Sequence, residues 1–182
     1  MLYMVEMDFR NPAREADWHV WYLQHIAKLI RVVPGFRASQ RFRAITPTPS
    51  PWLAMHDVVS ADVFQSAEYR AGGGPAATAE WQAEHTNWYR NLFDGIDSTP
   101  EVPPDAHLLV SEGDAHVPGP VGARMTRLAS VGLDRSSESR GIAIIAAGRL
   151  TAGLFDLPGV RIFKPISPRI TGEPHWADVK EP

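Results

Sequence analysis

The sequence predicts an α+β fold built on one antiparallel sheet, and three observations carry that expectation. Short runs of alternating or bulky strand formers occur at 2–9, 36–45, 52–59 and 107–111. Between them, 13–32 and 76–93 set large apolar residues at helical spacing. The resulting order is β-α-β-β-α-β rather than the strict alternation of a doubly wound parallel sheet.

Each element has a local cause. Leu2 to Phe9 alternates bulky and polar side chains, as a half-buried strand does. Asn11 and Pro12 supply an N-cap and a proline at the first helical position, and Glu15 and Asp17 suit a helix N-terminus. Pro34-Gly35 ends that helix. In the second strand Phe36, Ala38, Gln40 and Phe42 share one face, and Arg37, Ser39, Arg41 and Arg43 the other. A proline-rich loop leads to the third strand, and Ser60 caps a short helix reaching Arg70. Gly72-Gly73-Gly74 breaks the chain before the second long helix, and 97–105, with three prolines, is a linker to a fourth strand. This is the split βαβ order of ferredoxin-like folds, which leaves one sheet face in need of cover.

Beyond the linker lies a fainter echo of the opening. Residues 125–134 resemble a first strand, 137–154 a first helix, and Leu157-Pro158-Gly159-Val160-Arg161 repeats Val33-Pro34-Gly35-Phe36-Arg37 in kind. The expected division is a domain over 1–112 and a partial pseudo-repeat with a C-terminal tail over 113–182. The incomplete repeat and the uncovered sheet face together predict a homodimer.

Composition narrows the chemistry. The 182 residues include no cysteine, which excludes disulfides, thiolate nucleophiles and cysteine-held metals. The net charge of −3 with both signs interspersed lacks the basic footprint of a nucleic-acid binder. No signal sequence or membrane-length apolar run is seen, so a cytoplasmic location is the default. Six Trp and seven His concentrate in the first half, where the helices and one strand are predicted. No G-x-S-x-G, phosphate loop or dinucleotide fingerprint occurs.

The stretch Trp21-Tyr22-x-x-His25-x-x-x-Leu29, then Pro34-Gly35-Phe36, Arg41-x-Arg43 and Phe64-Gln65-Ser66-x-x-Tyr69-Arg70, resembles dimeric α+β-barrel proteins of the EthD-like kind. The resemblance covers roughly the first hundred residues. It implies small catabolic enzymes that need no bound organic cofactor: monooxygenases on aromatic polyketides, muconolactone-type isomerases and lyases, with haem-using relatives. The acidic pair often found before the histidine is here Leu23-Gln24, a departure that weakens the carry-over of any mechanism in which that pair tunes the imidazole.

Taking about 100° per residue, Trp18, Tyr22, His25, Leu29 and Val32 share one stripe of the first helix. On a second helix Trp81, His85, Trp88 and Leu92 would do the same. His56 sits on the third-strand face of Trp52 and Ala54; if that face meets the helices, three histidines surround one cavity. Histidine is the natural acid–base near neutral pH, and an aromatic-walled pocket suits a flat ring. Three imidazoles could also bind zinc or iron, although no H-x-x-x-H spacing is present.

The reading is therefore a lyase- or isomerase-type enzyme acting on an aromatic or unsaturated ring compound, with no cofactor. His25, His56, His85 and Tyr22 are its chemical groups, and Trp18, Trp52, Trp81, Trp88 and Arg43 its substrate contacts. Glu6 and Asp8 are candidate partners for a histidine. A non-catalytic small-ligand or assembly module and a haem- or metal-dependent oxygenase are the alternatives.

Overall fold

The computed structural model describes residues 1–113, 115, 117 and 124–172; the C-terminal tail expected at the end of the chain lies mostly outside them. Its frame is β1 (Leu2–Phe9), β2 (Phe36–Ala44), β3 (Trp52–Val58), β4 (His85–Asp94), β5 (Ala106–Glu112), β6 (Thr126–Leu133), β7 (Ser139–Ala146) and β8 (Val160–Pro165). A two-residue β9 (Ile170–Thr171) adds to β2. The helices are α1 (Glu15–Val32) and the short α2 (Ala67–Gly72), α3 (Gly74–Ala77) and α4 (Ala152–Phe155).

All pairings are antiparallel, in the order β3-β1-β4-β6-β7-β5-β8-β2, and β2 also pairs with β3. Eight strands thus close into a barrel, which removes the exposed edges an open sheet would have. The same order occurs twice: β4-β1-β3-β2 in the first four strands and β8-β5-β7-β6 in the next four. The pairs β4–β6 and β2–β8 join the halves.

Alternation along the strands makes two separate cores. Leu2, Met4, Phe42, Leu53, Phe93 and Phe163 fill the barrel interior. Tyr3, Val5, Met7 and Ala54 face outward beneath α1. The second half carries a smaller outer cluster around Leu109, Ile145, Leu154 and Ile162. The sheet face that called for a partner is therefore covered inside the chain.

Three expectations from sequence are corrected. The second long helix is absent: 76–93 becomes a short turn region followed by the ten-residue β4. The strand at 107–111 forms, but as β5 it pairs with β7 and β8 rather than completing the sheet beside β1. The helix expected over 137–154 is mainly β7, with only a single turn in α4. At 76–93 and 137–154 residues at helical spacing form strands because barrel closure needs them there, tertiary pairing overriding local preference, and β4 then takes the place beside β1 expected for 107–111.

The linker closes one barrel end. The Gln40 amide donates to the Val102 carbonyl at 2.8 Å and its oxygen accepts from the Val102 N–H at 2.9 Å, seating Val102 in the interior core. Asp57 accepts from Arg37 (2.7 Å), the Ser98 hydroxyl (2.8 Å) and the Thr99 N–H (3.2 Å), anchoring the same segment.

Gly95, directly after β4 and ahead of that linker, has φ +109°, and an added Cβ would lie 2.5 Å from the Arg127 carbonyl oxygen. Gly95→Ala is expected to destabilise the chain by about 1–3 kcal/mol, since both the backbone conformation and the β6 backbone resist it. Urea unfolding with an unchanged midpoint would contradict this.

Candidate active site beneath helix α1

Between α1 and the outer face of β1, β3 and β4 lies a cavity of about 30 Å³, room for one or two waters. His25, His56, His85, Tyr22 and Trp88 line it. Tyr3, Tyr69, Gly74 and Thr78 complete its polar and glycine surface, over an apolar floor of Val5, Met7 and Leu29.

The three histidines arrive by different routes. His25 comes from α1, whose buried residues are Trp18, Tyr22, Ile26, Leu29 and Ile30. The stripe is rotated toward Ile26 and Ile30 relative to the expected one, leaving Val32 38% exposed and His25 at its margin, stacked on Trp21 (5.1 Å, 6°). His56 comes from β3, on the face that meets α1, stacked on Tyr3 (5.1 Å, 25°) with Phe36 at its edge.

His85 and Trp88 come from β4, where strict alternation would put them on opposite faces. A register shift in the β1–β4 pairing, opposite the positive-φ Asn87 (φ 47°), re-aims the strand so that both reach the cavity. A three-residue step on a helix and on a bulged strand share a face alike. The expected convergence therefore survives the loss of the helix.

The remaining expected residues lie elsewhere. Trp18 is fully buried behind the cavity, where its indole N–H donates to His85 Nε2 at 2.9 Å. Trp52 packs against His19 (4.5 Å) and Trp18 (5.8 Å). Trp81 sits at the start of the turn before β4, under the Arg14 guanidinium (4.2 Å). Arg43 lies over Trp52 at 5.2 Å, outside the cavity lining. Glu6 points into the barrel and Asp8 accepts from the Phe9 N–H, so neither orients a histidine.

Tyr3, Tyr69 and Thr78 were not singled out as site residues from sequence. For Tyr3 the signal was present in the alternation Tyr3, Val5, Met7 on β1; for Tyr69 it was its place in the Tyr-Arg end of the short helix. The two phenols approach at 3.5 Å across the cavity.

Burial sets the charge state of the site. It lowers the His25 imidazole to about 4, with Lys28 adding to the effect, and His85 to about 4 by burial alone. His56 falls to about 3 through burial, His25 and Arg41. Burial pushes the Tyr22 phenol up to about 12 against the opposing pull of Arg41. At neutral pH the site therefore holds three neutral imidazoles and a protonated phenol. Among the described residues no group of three His, Asp or Glu is placed to hold a metal ion. No helix among them is long and apolar enough to cross a membrane.

These features define an α+β barrel with a histidine-lined cavity outside the barrel wall. No family model matches the chain, and no curated protein matches it. Two solved structures share the fold. One, an anthrone oxidase-like protein, superposes with a TM-score of 0.54 at 9% identity, covering 94% of this chain and 93% of that one. The other, a candidate monooxygenase from Lactobacillus acidophilus NCFM, gives a TM-score of 0.52 at 5% identity, covering 94% and 99%.

Proposed function

We propose that this chain is a small-molecule enzyme that transfers protons to and from a flat aromatic or unsaturated ring compound in the cavity beneath α1. One observation carries the reading: His25, His56, His85 and Tyr22, from three separate elements, border a single cavity. Neutral imidazoles are competent bases, and the residues supply acid–base chemistry without an organic cofactor. Proton removal from the ring compound is the first step of both a lyase and an isomerase reaction. The donor set offers no three-ligand metal group among the described residues, and the proton-transfer steps are assigned to the side chains alone.

The names of the structural neighbours favour a second reading of the same site. Anthrone loses a proton from its methylene carbon to form an anion; reaction with dioxygen then gives anthraquinone and one water. That outcome needs the same base and no further reductant.

A ring is larger than about 30 Å³, so binding requires the wall to open. The segment at Gly73 and Gly74 is the natural place, because Gly74 borders the cavity with φ +58° and a Cβ on Gly73 would meet the Tyr69 ring at 2.6 Å. The doubled strand order supports reading the chain as two ferredoxin-like halves fused into one barrel, divided near the 97–105 linker. On this reading the uncovered face no longer calls for a homodimer. The likeness to EthD-like proteins stays with the Trp21-Tyr22-x-x-His25 motif.

The test is anaerobic incubation of the full chain with anthrone deuterated at its methylene carbon. Saturable quenching of tryptophan fluorescence and loss of label to water well above the uncatalysed rate are expected. Admitting air then distinguishes the two readings by whether anthraquinone forms. Quenching without label exchange would leave a non-catalytic binding module as the better account, and neither quenching nor exchange, with anthrone and with simple phenols, would overturn the ring-compound reading.

A further inference from the structure

Arg41 is 3% exposed on β2, yet no carboxylate lies within ion-pair distance of it among the described residues. A buried cation without a counterion is costly, since burial strips its hydration without returning a charge partner. Its guanidinium instead rests over the rings of Tyr22 (4.1 Å) and Trp18 (4.9 Å), with one long hydrogen bond to the His19 carbonyl (3.4 Å). Tyr22 separates it from the cavity, and Trp18 leads to His85. No carboxylate lines the cavity among the described residues, and the side-chain cations that bear on its imidazoles, Arg41 on His56 and Lys28 on His25, are positive.

His85 adds a directed donor. Its Nε2 accepts from the Trp18 indole N–H, which can only donate. In the neutral ring the proton must then sit on Nδ1. That atom is buried without a partner among the described residues, on a side chain that borders the cavity. A buried N–H lacking an acceptor is unfavourable unless something else supplies one. His85 is thus fixed as a donor rather than a base, leaving base duty to His25 and His56.

We propose that the cavity is built to hold its ligand as an oxyanion, a phenolate or enolate, with His85 Nδ1–H donating to the oxygen and Arg41 supplying positive charge from behind Tyr22. The substrate class is then a ring compound whose oxygen becomes negative on proton loss. Arg41 acts through Tyr22 and Trp18 and is a positioning residue. The inference rests on the proposed function of the same site and narrows it.

The test follows the ionisation of 4-nitrophenol on the full-length protein, read from its phenolate absorbance as pH is varied. The bound probe should ionise about one pH unit or more below the free probe, an at least tenfold preference for the anion. Arg41→Met should return bound ionisation most of the way to the free value, Arg41→Lys should keep most of the shift, and His85→Phe should remove part of it. Near-ultraviolet circular dichroism checks that each variant is folded, and His85→Phe with Arg41→Lys carries the test if Arg41→Met is not. Binding with the same ionisation in every folded variant overturns the oxyanion proposal and leaves the ring-binding reading intact. Failure of the wild type to bind the probe in either form overturns both.

Discussion

Replacing His25 by alanine is expected to lower turnover of the ring substrate by about 100-fold or more, the usual range for losing a positioned acid–base group. The cost in stability should stay within about 0.5–3 kcal/mol, because His25 lies at the margin of the buried stripe and loses mainly its stack on Trp21. The pH profile separates a chemical role from a packing one. An ordinary imidazole loses its basic form below about pH 6.5. Burial and Lys28 hold His25 down near 4, so it remains a neutral base through that range. Activity should therefore persist on a plateau between those values, limited on the acid side by the fold. There the lowered histidines work against stability: the unfolded chain takes up protons below about 6.5 while the folded one does not. An alanine variant with full activity, or an acid limb centred near 6.5, would remove His25 from the mechanism.

Much of the first half was legible because its signals are local. Asn11-Pro12 and Pro34-Gly35 bracket α1, and alternation groups Trp52, Ala54 and His56 on one face of β3, although only the fold decides that this face is the outer one. The stretch 76–93 failed because Trp81, His85, Trp88 and Leu92 fit a helical stripe as well as a bulged strand. Periodicity alone does not separate those two. Asn87 at positive φ was the discriminating feature, and it is visible only in the backbone. The bulge between Phe36 and Ala38 had a related effect on β2. It turns Phe36 outward beneath α1 while Phe42 stays in the barrel, so the single face expected for the two is split between two cores. Arg41 and Arg43 share a face as expected, yet one is buried under α1 and the other exposed, because only Arg41 lies where the helix crosses. The second half misled for another reason. Among the described residues its outer face carries no long helix, so β7 has no amphipathic partner by which to be recognised.

Glu6→Ala is expected to be the most destabilising single change in the barrel, at about 3–5 kcal/mol, the range for removing one partner from a buried charge network. Glu6 is 2% exposed and accepts from Arg140 at 2.5 Å and from Arg161. Glu112 completes the ring, accepting from the same two arginines at 3.1 and 2.5 Å. Glu6 belongs to β1 and its three partners to β5, β7 and β8, so the network ties the two halves together across the barrel end opposite the linker plug. Without Glu6, two guanidiniums share one half-exposed carboxylate. Arg140→Met alone should cost a similar amount. In the double variant Glu6→Ala with Arg140→Met the losses should fall short of their sum, because neither change then leaves the other's charge unpaired. Acid should weaken the network too. Burial alone would raise the Glu112 carboxyl, but Arg140, Ser137 and Arg161 outweigh it and hold the group below its ordinary 4.5. Its contribution is therefore complete above about 4.5 and is lost as pH falls through the lower folded value. Urea unfolding of the three variants and the wild type measures both effects. A Glu6→Ala midpoint equal to the wild type's, or strictly additive losses, would show that the four charges do not act as a unit.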